Sequence, residues 1–166
     1  MVGRIDTQRM LPEFIQKRKD LKITSKVSSA RKWQQYPNPR SISQSQSLGF
    51  WRHLNDELRF TLGAMQEIDI KGSISPFGED ISRITLSDDS APPVATRTDI
   101  VLDGDRIRCS VLNGGIYYLD LATFQDKEIF AQDIQADDTP MNAQKTAEYV
   151  ISRMVNIIEW MRRSSS

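Results

Sequence analysis

The chain has 166 residues, 39% hydrophobic and 27% charged, with 22 Lys and Arg against 22 Asp and Glu, the composition of an ordinary globular protein at one-domain length. A single cysteine, Cys109, excludes an intramolecular disulfide framework and any multi-cysteine metal site, and a single histidine, His53, removes most His-rich constellations. The longest uncharged runs, Ser41–Trp51 and Cys109–Leu119, have 11 residues each, short of the ~18–20 apolar residues that cross a bilayer.

The even charge total hides a polarity. Residues 1–52 hold Arg4, Arg9, Lys17, Arg18, Lys19, Lys22, Lys26, Arg31, Lys32, Arg40 and Arg52 against only Asp6, Glu13 and Asp20. The first third is therefore +8, which leaves −8 for residues 53–166. Such asymmetry suggests an interaction arm. Nothing in the first 45 residues supplies the apolar run of ~7–15 residues that a secretory signal needs. The three acids argue against a mitochondrial transit peptide, so the expected location is cytoplasmic.

Residues 1–46 are read as a basic, flexible, largely extended arm. Within it, Leu11–Leu21 suits a short helix with Pro12 at the first helical position. Tyr36-Pro37-Asn38-Pro39 reads as a turn or extended segment, and Ser41–Ser47 as a polar linker. From Leu48 to Met65 the pattern becomes helical, because Trp51, Leu54, Leu58, Leu62 and Met65 fall on one stripe, with Ser47 as the expected cap.

The centre reads as β. Ile68 and Ile70 alternate with polar residues, as do Ile84 and Leu86, around a Ser75-Pro76-Phe77-Gly78 turn. Asp103-Gly104 predicts a hairpin with a type I′ turn that pairs Ile100 with Ile107, Thr98 with Cys109 and Asp99 with Arg108. A three-residue Asn113-Gly114-Gly115 loop predicts a second hairpin pairing Val111 with Tyr117, Cys109 with Leu119 and Ile107 with Leu121. This register keeps the apolar set on one face and sets Asp99, Arg108 and Asp120 in a charge ladder on the other. Ile129, Phe130 and Ile134 suit a short helix within 123–138. Thr139-Pro140 then predicts the start of a helix to about Arg162, whose apolar residues from Ala147 to Met161 form one broad face.

Candidate chemistry is sparse. Cys109 falls on the inward face of a strand, where a thiol is a poor nucleophile, so a Cys109–His53 dyad is not expected. Asp103-Gly104-Asp105 lacks the further acids of a calcium loop, since the twelfth position is Gly114. Asn113-Gly114-Gly115 leads into a strand, so it offers no helix N-terminus to a phosphate. Lys17-Arg18-Lys19 and Arg31-Lys32 with Trp33 and Tyr36 interleave charge and aromatics, the chemistry of phosphate contact and stacking, of binding to an acidic protein surface, or of a solvated tail that binds nothing. Phe60, Tyr149 and Trp160 are expected on the backs of the two long helices, where they form a contact patch or are covered by residues 1–40 folding back.

The expected fold is α+β: an antiparallel meander of four to five strands from about 66 to 122, with helices at 48–65 and 141–162 on one face. The basic arm precedes it and 47–166 form a single domain. The expected function is non-catalytic, an accessory or adaptor subunit of a larger intracellular assembly. Its contacts to a protein partner or to a second copy fall to Lys17, Arg18, Lys19, Arg31, Lys32, Trp33, Phe60, Tyr149 and Trp160. No cofactor, metal, catalytic residue or membrane contact is expected. The alternatives are nucleic-acid binding through the arm, and a small enzyme with its site on the loops Ser73–Asp80 and Asp88–Pro93.

Overall fold

Helix α1, Gln44–Ala64, begins four residues before the predicted start because its cap lies in the stretch read as linker. Ser43 is extended, its hydroxyl accepts from the Gln46 N–H, and the Gln46 side chain accepts from the Ser43 N–H in a capping box. Ser47, the expected cap, is buried within the first turns and donates to the Ser43 carbonyl at 3.3 Å. The stripe of Trp51, Leu54, Leu58, Leu62 and Met65 is buried as its spacing predicts. A computed structural model supplies the structure and describes residues 41–90, 92–124, 128–136 and 139–165. The helix expected at 11–21 and the turn at 36–39 lie outside the described residues.

After α1 a 3-10 turn, Met65–Ile68, ends at Asp69, whose φ of 60° is left-handed; Ile68 therefore belongs to the turn and not to the expected strand. One antiparallel sheet follows in sequence order: β1 Lys71–Pro76, β2 Ile81–Asp88, β3 Val94–Asp103, β4 Arg106–Val111, β5 Gly115–Phe124 and β6 Glu128–Gln132. The meander agrees with the sequence reading, but it has six strands rather than four to five. The added strand is β6, where Ile129 and Phe130 pair with Thr123 and Ala122 instead of forming a short helix. A short apolar run suits either period, and the backbone groups of β5 need partners on that side. An Ala131–Met141 bridge leads into α2, Ala143–Ser165. Asn142 caps α2 by accepting from the Lys145 N–H at 2.8 Å, in place of the expected Thr139-Pro140 start.

Both hairpins differ from the predicted register by two residues. In the first, Ile100 pairs with Cys109, Leu102 with Ile107 and Asp99 with Ser110. Its turn has positive φ at Gly104 (66°) and not at Asp105, the II′ pattern rather than I′. In the second, Val111 pairs with Gly115, Cys109 with Tyr117 and Ile107 with Leu119, with Asn113 at φ 66° inside the turn. A two-residue slip moves no side chain to the other face, so the inward set is unchanged while every partner changes. The Asp99–Arg108–Asp120 ladder is accordingly replaced by two separate pairs, Arg83–Asp99 and Arg106–Asp120.

Helix α1 packs along α2 and reaches both β1 and β6, the two edge strands, while α2 crosses β2, β3 and β6. The sheet curls around the helix pair so that one helix meets both its edges. The inner face supplies the core: Ile84, Leu86, Ile100, Ile107, Cys109 and Leu119 are fully buried against Leu54, Leu58, Ile151 and Met154. Gly72 permits the close approach of α1 to β1, since a Cβ there would stand 2.6 Å from Leu62 Cδ2. Buried polar bonds fix α1 against β2. Ser82 donates to Asn55 at 2.7 Å, Asn55 to the Trp51 carbonyl at 2.8 Å, and Trp51 Nε1 to the Glu79 carbonyl at 2.8 Å. Among the described residues no helix is long and apolar enough to cross a membrane.

Candidate protein interface on the outer face of the sheet

The inward-facing reactive groups are committed to packing. Cys109 is fully buried on β4, and burial pushes its thiol up to about 12. His53 is exposed on α1 and lies 3.3 Å from Glu57, so the thiol and the imidazole occupy different environments. Tyr117, next to Cys109 on β5, is buried with its hydroxyl unpaired, and burial raises its pKa well above the ordinary value. Its ring meets that of Tyr149 edge-on at 5.9 Å. Arg153 stands 3.9 Å from the Tyr117 ring centroid and 5.6 Å from that of Tyr149.

Tyr149 therefore faces the sheet rather than standing free on the back of α2. Its hydroxyl donates to Asp133 at 2.6 Å, and burial together with that bond pushes its pKa up to about 12. Of the other aromatics expected on helix backs, Phe60 is half-buried and Trp160 is 52% exposed. Lys17, Arg18, Lys19, Arg31, Lys32 and Trp33 lie outside the described residues.

The loop after β2, one of the two proposed for an enzyme site, is tied to the end of α2. Arg162 pairs with Asp88 at 2.9 Å and donates to the carbonyls of Ser90 at 3.1 Å and Pro92 at 2.7 Å. Ser90 also donates through its hydroxyl and its N–H to Asp88. The Arg162 guanidinium, with these bonds from Ser90, holds the Asp88 carboxyl at about 2. Asp88 of this loop is thus occupied by an arginine, and Asp89 by Lys71 at 2.9 Å.

The open chemistry is on the other side of the sheet. Ile81, Val101, Arg108 and Tyr118 are successive register partners in one row across β2 to β5. The neighbouring row runs Arg83, Asp99, Ser110, Ile116. Ile116 is 60% and Tyr118 is 40% exposed. Arg106 stands over the Tyr118 ring at 5.0 Å while its Nε donates to Asp120 at 2.7 Å. Arg83 repeats the arrangement, forked onto Asp99 at 2.8 and 3.1 Å and lying 5.0 Å from the exposed Phe77 ring. Each arginine is held in place by a carboxylate and shields one face of an aromatic ring.

No protein family, curated protein or solved structure matches this chain. What the outer face offers is chemical. It carries the aromatics Tyr118 and Phe77, the branched aliphatic Ile116 and the carboxylate-held Arg83 and Arg106, on a sheet whose inner side is a packed core. Sequence reasoning missed these residues because Arg106 and Tyr118 meet only in the observed register. Their exposure was signalled by alternation, since both occupy outward positions of the strands.

Proposed function

We propose that the protein is a non-catalytic accessory or adaptor subunit that binds another protein through the outer face of its sheet. Tyr118 under Arg106, beside exposed Ile116, is the observation that carries this reading. Aromatic residues and arginine dominate the energetic centres of protein interfaces, and a guanidinium already pinned by Asp120 loses little freedom on docking. Trp160 and the basic arm residues Lys17, Arg18, Lys19, Arg31, Lys32 and Trp33 are secondary contacts in this reading, and a cytoplasmic location accompanies it.

Affinity capture with the full chain and with an Ile116→Ser/Tyr118→Ser variant tests the proposal. A partner that copurifies with the parent chain is expected to bind the variant at least ~30-fold more weakly, the loss of about 2 kcal/mol that marks a hot spot. Equal capture by both chains overturns it. The nucleic-acid alternative is disfavoured on this surface, because Asp99, Asp103 and Asp120 sit among the arginines. Retention of single-stranded nucleic acid at ~50 mM salt that collapses by ~200 mM would favour it instead.

A further inference from the structure

A groove of about 900 Å³ opens where the chain enters α1, lined by Ile42, Leu48 and Leu102 and by Glu79, Asp80, Asp103 and Asp105. Among the described residues these four carboxylates share with Asp69, Glu128 and Glu148 the lack of an ion pair, and what sets them apart is that they line one groove. Asp56, Asp88, Asp89, Asp99, Asp120 and Asp133 each have an arginine or lysine within 4.0 Å. Among the described residues none of the four groove acids is in an ion pair. They do not converge on a point either, since no group of three or more potential ligands able to hold a metal ion occurs among the described residues. Carboxylates spread along a groove that also presents Ile42, Leu48 and Leu102, with Gln44 and Ser47 between them, suit an extended chain that carries several cations with apolar side chains between them.

The sequence supplies such a chain next to the groove. Residues 26–40 hold Lys26, Arg31, Lys32 and Arg40 with no carboxylate, and Trp33 and Tyr36 lie between the cations. Arg40 is two residues from Ile42, which lines the groove, and Lys32 is ten residues from it, a reach of about 30 Å for an extended segment. Tethering this short sets a high effective concentration, in the millimolar range for flexible links, without any new contact. We propose that this groove is the seat of residues 26–40 of the same molecule, with their cations against the four carboxylates and Trp33 or Tyr36 against Ile42, Leu48 and Leu102. The inference does not rest on the outer-face reading, which is carried by Arg106, Ile116 and Tyr118 and shares with it only Asp103 and the secondary contacts Arg31, Lys32 and Trp33.

Zero-length carbodiimide coupling on the full chain tests it, because an amide forms only where a lysine amine touches a carboxylate. The reaction is run on an equal mixture of ordinary and ¹⁵N-labelled protein at ~0.1 M salt, and the products are mapped by mass spectrometry. The expected product joins Lys26 or Lys32 to Glu79, Asp80, Asp103 or Asp105 within one isotopic copy. Its yield should fall at least ~5-fold at ~1 M salt, where charges are screened within about 3 Å. In an Asp103→Asn/Asp105→Asn variant the coupling that remains at Glu79 and Asp80 should fall ~3-fold or more, with an unchanged circular dichroism spectrum establishing that the domain is folded. Mixed-isotope products at the statistical share of about one half, the signature of coupling between molecules, overturn the proposal in favour of exchange between molecules. Coupling spread equally over Asp56, Asp69 and Glu128, or none at all, also overturns it.

Discussion

The two faces of the sheet share one backbone and put it to opposite uses. On the inner face, side chains from β2 to β6 and the two helices exclude water, with Cys109 packed as a small apolar residue and Ser82 as a partner of Asn55. On the outer face, residues one position away along the same strands remain open, and order comes from charge pairs rather than burial. Burial of an aliphatic side chain contributes about 1.5–3 kcal/mol, whereas an exposed ion pair contributes about 0–1. The inner face therefore supplies the stability, which leaves the outer face little constrained by the demands of folding.

That contrast can be broken by mutation. Ile107→Ala, in the middle of the inner face and fully buried, is expected to cost about 4 kcal/mol in urea unfolding, from lost transfer energy and the cavity left behind. Gly72→Val tests the approach of α1 to β1. With Leu62 Cδ2 at 2.6 Å and Leu86 Cδ2 at 2.9 Å from the new Cβ, about 3 kcal/mol of overpacking is expected, despite the better strand propensity of valine.

Arg162→Ala is the intermediate case, and it carries a pH signature. The Asp88 carboxyl sits near 2 in the folded chain against 3.8 ordinarily, so its pairing stabilises fully above about pH 4 and is lost as pH falls through about 2. The parent should exceed the variant by about 2 kcal/mol at pH 6, and the two unfolding curves should converge toward pH 2. A constant gap across that range would remove Asp88 as the cause. The smallest effect is expected outside: Asp99→Asn breaks the fork to Arg83 yet should shift stability by no more than about 0.5 kcal/mol. A loss as large as that of Ile107→Ala would mean that the outer face carries the fold as well.

The alternation of Ile100 and Leu102 with Asp99 and Val101, and of Ile107 and Cys109 with Arg106 and Arg108, made the inward set readable from sequence. Alternation specifies a face, not a partner, and a slip of two residues keeps the face. The predicted turns were therefore displaced without disturbing the core. The candidate interface depends on partners, so the pairs Arg106–Tyr118 and Arg83–Phe77 were out of reach. The start of α1 was in principle legible, because Ser43 and Gln46 have the spacing of a capping box, but serine and glutamine on either side made them look like linker. Strand β6 was hidden for another reason. Five residues are too few to separate one period from the other, and only the need of β5 for partners decides between them.

Cys109 makes the molecule its own unfolding clock. Because the one thiol of the chain is buried at the centre of the sheet, with burial pushing it up to about 12, it presents no thiolate to attack an aromatic disulfide reagent while the domain is closed. Each labelling event then records an opening of the core, and the labelling rate at increasing reagent concentration passes from the population of open molecules to the rate at which they open.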